Sequence, residues 1–153
     1  MAIKKYIEEQ YDQEQHALEE KIIALEVSAL DKYFKGDVSG YLDIWSKDNF
    51  SYFDAGTKER SDSYEQVKLF LETVVAGKMH TDTYDFHYPR VQLSADTAVL
   101  TYQLHADTPF IEMHYNVIEV FQKNKNNDWK VIHSTWDLIT PFSPDIKRPK
   151  VIV

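Results

Sequence analysis

Four long β-type runs follow one another with no helical segment between them: Thr81–Leu93, Asp96–Asp107, Phe110–Lys123 and Trp129–Thr140. They are rich in Val, Tyr, Thr and Ile, and the linkers Ser94-Ala95-Asp96 and Lys123–Asp128 read as hairpin loops. Strands joined by short turns pair antiparallel, because a parallel pair needs a long crossover. The helical patterns all lie ahead of these runs. The chain therefore predicts an α+β fold, with three N-terminal helices on one face of a curved, mostly antiparallel sheet.

The helices announce themselves by period. From Gln15, apolar residues recur at Leu18, Ile22, Leu25 and Ala29, and a second line of Ile23, Val27, Leu30 and Phe34 widens that face up to a stop at Gly36. Asp37 reads as the cap of a short second helix that buries Tyr41, Leu42, Ile44 and Trp45. Asn49–Asp54 alternates polar and aromatic residues as a short strand does. Ser63 caps a third helix, with Gln66 as a capping-box partner, a face of Val67, Phe70, Leu71, Val74 and Val75, and an end at Gly77. The strand order is then α-α-β-α-β-β-β-β. We expect residues 1–15 to form an N-terminal arm or helix extension, residues 16–141 to form the domain, and residues 142–153 to form a Pro-rich arm carrying Lys147, Arg148 and Lys150.

Composition narrows the function classes. Seventeen basic against twenty-five acidic residues leave a formal charge of −8, which repels phosphate backbones, so no nucleic-acid partner is expected. With no Cys, thiolate zinc sites, iron–sulfur clusters and Cys nucleophiles are excluded. No apolar run approaches a membrane span, and no Gly-rich phosphate loop is present. The six His do not form H-x-H or H-E-x-x-H; Glu112, His114 and His105 are the nearest approach to a ligand set, and no metal is expected. The expectation is a cytoplasmic protein that needs no cofactor.

The element order, together with Gly36-Asp37, Ser51–Gly56, Gly77–His80, Ala98–Tyr102, Asn116–Phe121 and Trp129–Trp136, resembles the NTF2-like superfamily over residues 18–141. That superfamily has a cystatin-like cone fold and includes ketosteroid isomerases, scytalone dehydratase, SnoaL-type cyclases and the association domain of calmodulin-dependent kinase II. The small bacterial SnoaL-like proteins, many of unknown function, resemble the chain most. The family's last strand usually reads W-K-I-V-H-x-H-W-S; here Thr135 and Asp137 replace the second His and the Ser.

The resemblance implies a site. It places Asp54 where the isomerases carry a general base, and Glu119 where they hold a protonated carboxyl that donates to an enolate oxygen. Ala29 stands where they have an oxyanion-hole Tyr, which argues against steroid isomerisation. The expected function is a cone-shaped pocket for a small, partly apolar organic ligand, with cofactor-independent acid/base catalysis of the isomerase or dehydratase type. In it Asp54 and Glu119 are catalytic, Tyr52, Tyr115, Trp45 and Trp136 pack the substrate, and Gln103, His105 and Ser134 orient it. The alternative is a non-catalytic ligand-binding, dimerisation or assembly domain. Basic residues line the kinase-domain pocket where Glu119 and Trp136 stand here, so a neutral or cationic ligand suits this chain better.

Strand parity has two solutions. If Glu119 points into the cone, so do Val117, Tyr115 and Met113. The resemblance then places Val99, Thr101, Gln103 and His105 inward on one neighbouring strand and Ile132, Ser134 and Trp136 on the other. Leu100, Tyr102, Leu104, Ile118, Val120, Val131 and His133 then form an outer face apolar enough to want cover, and because NTF2-like domains often dimerise by stacking these faces, the resemblance implies a homodimer. The opposite parity turns Tyr102, His114, Asn116 and His133 inward.

Overall fold

The computed structural model describes residues 2–139; the basic Pro-rich tail lies outside them. Helix α1 (Ala2–Tyr33) is followed by α2 (Ser39–Ile44), strand β1 (Ser51–Asp54), α3 (Tyr64–Phe70, continued by a π-helical turn Leu71–Val75), and strands β2 (Asp85–Ser94), β3 (Thr97–Asp107), β4 (Glu112–Lys123) and β5 (Trp129–Leu138). The strands form one sheet in the order β1-β5-β4-β3-β2. Among the described strands only β1 runs parallel to its neighbour. The α+β architecture is as the sequence predicts, with a π-turn added to the third helix.

Local chemistry explains the boundaries. At the end of α1, the Asp37 amide donates to the Lys32 carbonyl at 3.0 Å, and Gly36 adopts φ +85° between them. The Ser63 hydroxyl accepts the Gln66 amide at 3.3 Å, capping α3 as expected. Asp37 accepts the Ser39 amide at 2.9 Å, so it closes the entry to α2 from just outside the helix. Pro89 is accommodated because β2 is an edge strand, bulged between His87 and Arg90, with Tyr88 at φ +55°.

Helix α1 starts far earlier than its apolar period. Residues 2–14 are helical and solvent-exposed, including Ile3, Tyr6, Ile7 and Tyr11. The docked half buries Ile22, Glu26, Ala29 and Leu30 against the sheet. Gly40 of α2 has a steric cause: a Cβ added there would lie 3.0 Å from the Ala29 Cα and 3.3 Å from the Ala29 carbonyl oxygen, so the two helices pass too closely for a side chain at Gly40.

Sheet register corrects one half of the parity expectation. On β4, Met113, Tyr115, Val117 and Glu119 do face the helices. Directly opposed residues of an antiparallel pair share a face, and the register sets Leu100 against Glu119, Tyr102 against Val117 and Leu104 against Tyr115. The inward residues of β3 are therefore Ala98, Leu100, Tyr102, Leu104 and Ala106, whereas Val99, Thr101, Gln103 and His105 face out. On β5, a bulge opposite Val120/Phe121 leaves Ile132 unpaired, so Val131 and Ser134 both point inward. The outer face loses Leu100, Tyr102, Leu104 and Val131, and is far more polar than expected.

Candidate functional site

The space between α3 and the concave side of the sheet holds a cavity of about 340 Å³. Tyr33 from the end of α1, Tyr41 from α2, Trp45 just after it, Tyr52 and Asp54 from β1, Tyr115 from β4 and Trp136 from β5 form its interior. Phe70, Leu71, Val75, Met79, Ile111 and Met113 complete the apolar wall. Val74, Phe110 and Leu138 line it too and remain substantially exposed, which marks the mouth. The rings form a connected shell. Tyr33 lies 5.8 Å from Tyr41 and 6.2 Å from Trp136, Tyr41 5.4 Å from Trp45, Trp45 5.6 Å from Tyr52, and Tyr115 6.0 Å from Trp136, all between ring centroids.

Asp54 is the one charged side chain on this wall among the described residues. It ends β1, where parallel pairing with β5 sets it beside Trp136. Loss of water raises its carboxyl above the ordinary range, and the amides of Ala55 and Gly56 pull partly the other way. Its charge in turn adds to the burial that holds the Tyr33, Tyr52 and Tyr115 hydroxyls above their usual range, so these phenols stay neutral donors around it.

Behind the wall lies a second acidic centre. Glu119 is fully buried; Ser134 donates to its Oε1, and the Trp136 indole donates to the Ser134 Oγ at 2.9 Å. Burial raises the Glu119 carboxyl well above the usual range, and the nearby Glu26 carboxyl raises it further. Ser134 and the neighbouring Trp45 indole oppose that shift, although Trp45 Nε1 and Glu119 Oε2 do not close a hydrogen bond. Glu26, from α1, is equally buried and accepts the Tyr41 hydroxyl at 2.8 Å and the Tyr102 hydroxyl at 2.5 Å on its Oε2. Burial lifts it to about 7 against the pull of those two donors. Neither glutamate lines the cavity; Tyr41 and Trp136 stand between them and it.

The structure thus brings Asp54, Trp45, Tyr52, Tyr115 and Trp136 together at the cavity and sets Glu119 and Ser134 behind it. Gln103 and His105 are elsewhere. They lie on the outer face, Gln103 donating to Asn116 Oδ1 at 3.0 Å and His105 Nδ1 meeting His114 Nδ1 at 2.7 Å. An orienting role in the cone is corrected for both, because β3 is turned by one residue from the expected parity. Among the described residues no group of three or more His, Asp or Glu is placed to hold a metal ion. Among the described residues no helix is long and apolar enough to cross a membrane.

Sequence reasoning missed Tyr33, Tyr41 as a lining residue, and Glu26. A signal for Glu26 was available: it sits four residues after Ile22 and three before Ala29, in the middle of the apolar stripe. A carboxyl at such a position needs partners from other elements, and the two tyrosines supply them.

Known proteins frame this geometry. A putatively assigned ketosteroid isomerase from Parabacteroides distasonis ATCC 8503 superposes with a TM-score of 0.68 at 25% identity, over 78% of this chain and 86% of that one. An NTF2-like protein of unknown function from Pseudomonas putida KT2440 gives 0.69 at 17% identity, over 90% and 96%. The CaMKII hub of S. rosetta gives 0.61 at 18% identity, over 76% and 92%; these last two likenesses speak for the fold alone. No curated protein matches the chain in sequence. The SnoaL-like domain profile matches residues 22–136, from the docked half of α1 to the tryptophan of the cavity wall, and the chain belongs to the SnoaL-like family.

Proposed function

We propose that the protein takes a small, largely apolar organic molecule into the cone and that Asp54 accepts a proton from it, in cofactor-independent chemistry of the isomerase or dehydratase type. One observation carries the reading: a single desolvated carboxyl stands on a wall otherwise made of aromatic and apolar groups. A carboxyl raised toward neutrality is a better general base at working pH than one at its ordinary value. The hydroxyls of Tyr33, Tyr52 and Tyr115 orient the ligand. Glu119 acts at one remove, holding the Trp136 indole through Ser134, and so is a positioning residue in this reading. The likeness to a candidate ketosteroid isomerase supports the reaction class.

The test is deuterium exchange at the carbon beside the carbonyl of two cyclic ketones, neutral 2-tetralone and the amine-bearing tropinone, followed by NMR. The wild type is expected to accelerate exchange of at least one, and Asp54→Asn to lose about 10²–10⁴ of that acceleration. Binding of either ketone with no acceleration would instead make the cone a non-catalytic binding domain.

Assembly belongs to the same proposal. Phe53, Thr135 and Ile118 lie side by side across β1, β5 and β4 on the outer face, with Phe53 44% and Ile118 39% exposed. A homodimer through this patch would cover both. Light scattering is expected to give a dimer for the wild type and a monomer for Ile118→Glu; a monomeric wild type overturns it.

A further inference from the structure

We infer that the ligand of the cone is an organic cation, a quaternary ammonium or protonated amine on a small apolar frame, seated between Asp54 and the faces of Tyr33, Tyr41, Tyr52, Tyr115 and Trp136. The inference rests on the reading of the cavity as a ligand site and adds the charge of what fills it.

The wall contains no Lys, Arg or His among the described residues, so an anion would meet Asp54 with nothing to offset the repulsion. A neutral apolar ligand fits the rings but strips the remaining water from the Asp54 carboxylate and returns no charge to it. A cation reverses that cost, because it replaces the lost water with an opposite charge. It also gains from the aromatic wall, because a cation over an aromatic face is attracted by the ring's quadrupole, and Tyr33, Tyr52, Tyr115 and Trp136 all line the cavity that Asp54 lines. Lys78 already sits 5.0 Å over the ring of Phe110, an aromatic residue of the mouth, yet does not itself line the cavity. The chain's formal charge of −8 favours the approach of cations from solution. Finally, the site offers a proton acceptor but no positive charge with which to stabilise an anion forming on the substrate. A ligand that carries its own positive charge supplies that stabilisation itself.

The experiment compares two isosteric phenols by calorimetry on the full chain: 3-hydroxyphenyltrimethylammonium and 3-tert-butylphenol. Apolar transfer alone favours the neutral compound, because the ammonium must shed water. We expect the opposite order, with the ammonium about tenfold tighter or more, and its methyl proton signal moved upfield by the surrounding rings. Asp54→Asn, checked for folding by its circular dichroism, is expected to bring the two compounds close to parity; the wild-type comparison stands without the variant. Equal or tighter binding of 3-tert-butylphenol to the wild type overturns the cation and leaves the cavity as a ligand site. Binding of neither compound overturns both. Tight ammonium binding with no ketone exchange keeps the cation and removes only the proton-transfer reading.

Discussion

Glu26 on α1 and Glu119 on β4 bury their carboxyl groups in one core, and the charge of Glu26 raises the proton affinity of Glu119. Each is tied to a different residue of the cavity wall, Glu26 to Tyr41 and Glu119 to Trp136 by way of Ser134. Two ionised carboxylates without a cation beside them would be strongly disfavoured in such surroundings, so this pair holds protons that exposed glutamates have lost by neutral pH.

Stability should therefore fall as pH rises through the neutral range. Both folded-state values lie above the unfolded ones, so the folded chain binds more protons and the stabilisation is complete below about 4.5. It is lost as pH climbs through the folded value, about 7 for Glu26. Urea denaturation at pH 5 and pH 8 is expected to give a lower midpoint at pH 8. In Glu26→Gln, whose side-chain carbonyl still accepts both tyrosine hydroxyls, the difference should shrink markedly; an unchanged difference would remove the pair as its source.

The tyrosines that hold Glu26 predict a titration shift of known sign. The hydroxyls of Tyr41 and Tyr102 both stabilise the ionised form, so removing either should push Glu26 further up. Carboxyl-carbon NMR of Tyr102→Phe is expected to show Glu26 titrating above its wild-type value, with a stability loss of about 1–3 kcal/mol. A downward shift would contradict the hydrogen-bond assignment.

What the sequence made legible was local. The stop at Gly36, the Ser63 cap and four strands all follow from nearest-neighbour chemistry. The inward side of β4 was one of two parity solutions, and the structure takes the one that points Glu119 at the helices. The inward side of β3 does not follow from such chemistry, because Val99 and Thr101 look as fit for a core as Leu100 and Tyr102; only the pairing of Leu100 with Glu119 chooses between them. The same slip put Gln103 and His105 in the cone. Glu26 was hidden by its type: a glutamate in an apolar stripe reads as an interruption until Tyr41 and Tyr102, fifteen and seventy-six residues away, are seen to meet it. The helical start of α1 is likewise invisible to apolar periodicity, since those residues touch no core.

That exposed start predicts tolerance of truncation. Residues 2–14 contribute no buried side chain, so deleting residues 2–13 should move the thermal midpoint by no more than a degree or two. Calorimetry on the shortened chain checks this. A large drop would mean that Ile3, Tyr6, Ile7 and Tyr11 are covered in solution by another molecule.

Two glycines should respond oppositely to the same change. Gly36 holds φ +85°, and a Cβ there would come within 3.0 Å of both the Gly77 Cα and the His80 ring. The Gly77 amide also donates to the Gly36 carbonyl at 2.8 Å, so the backbone on each side is pinned and cannot move away. Gly36→Ala therefore combines left-handed strain with a steric contact and is expected to cost about 1–3 kcal/mol. Gly56 has no atom within 4 Å of an added Cβ and no positive φ, so Gly56→Ala should be neutral or slightly stabilising through the unfolded chain. Urea denaturation of the two variants under one buffer gives the comparison. Equal effects would mean that the junction of α1, α2 and the segment after α3 is looser than the packing of Gly36 against Gly77 requires.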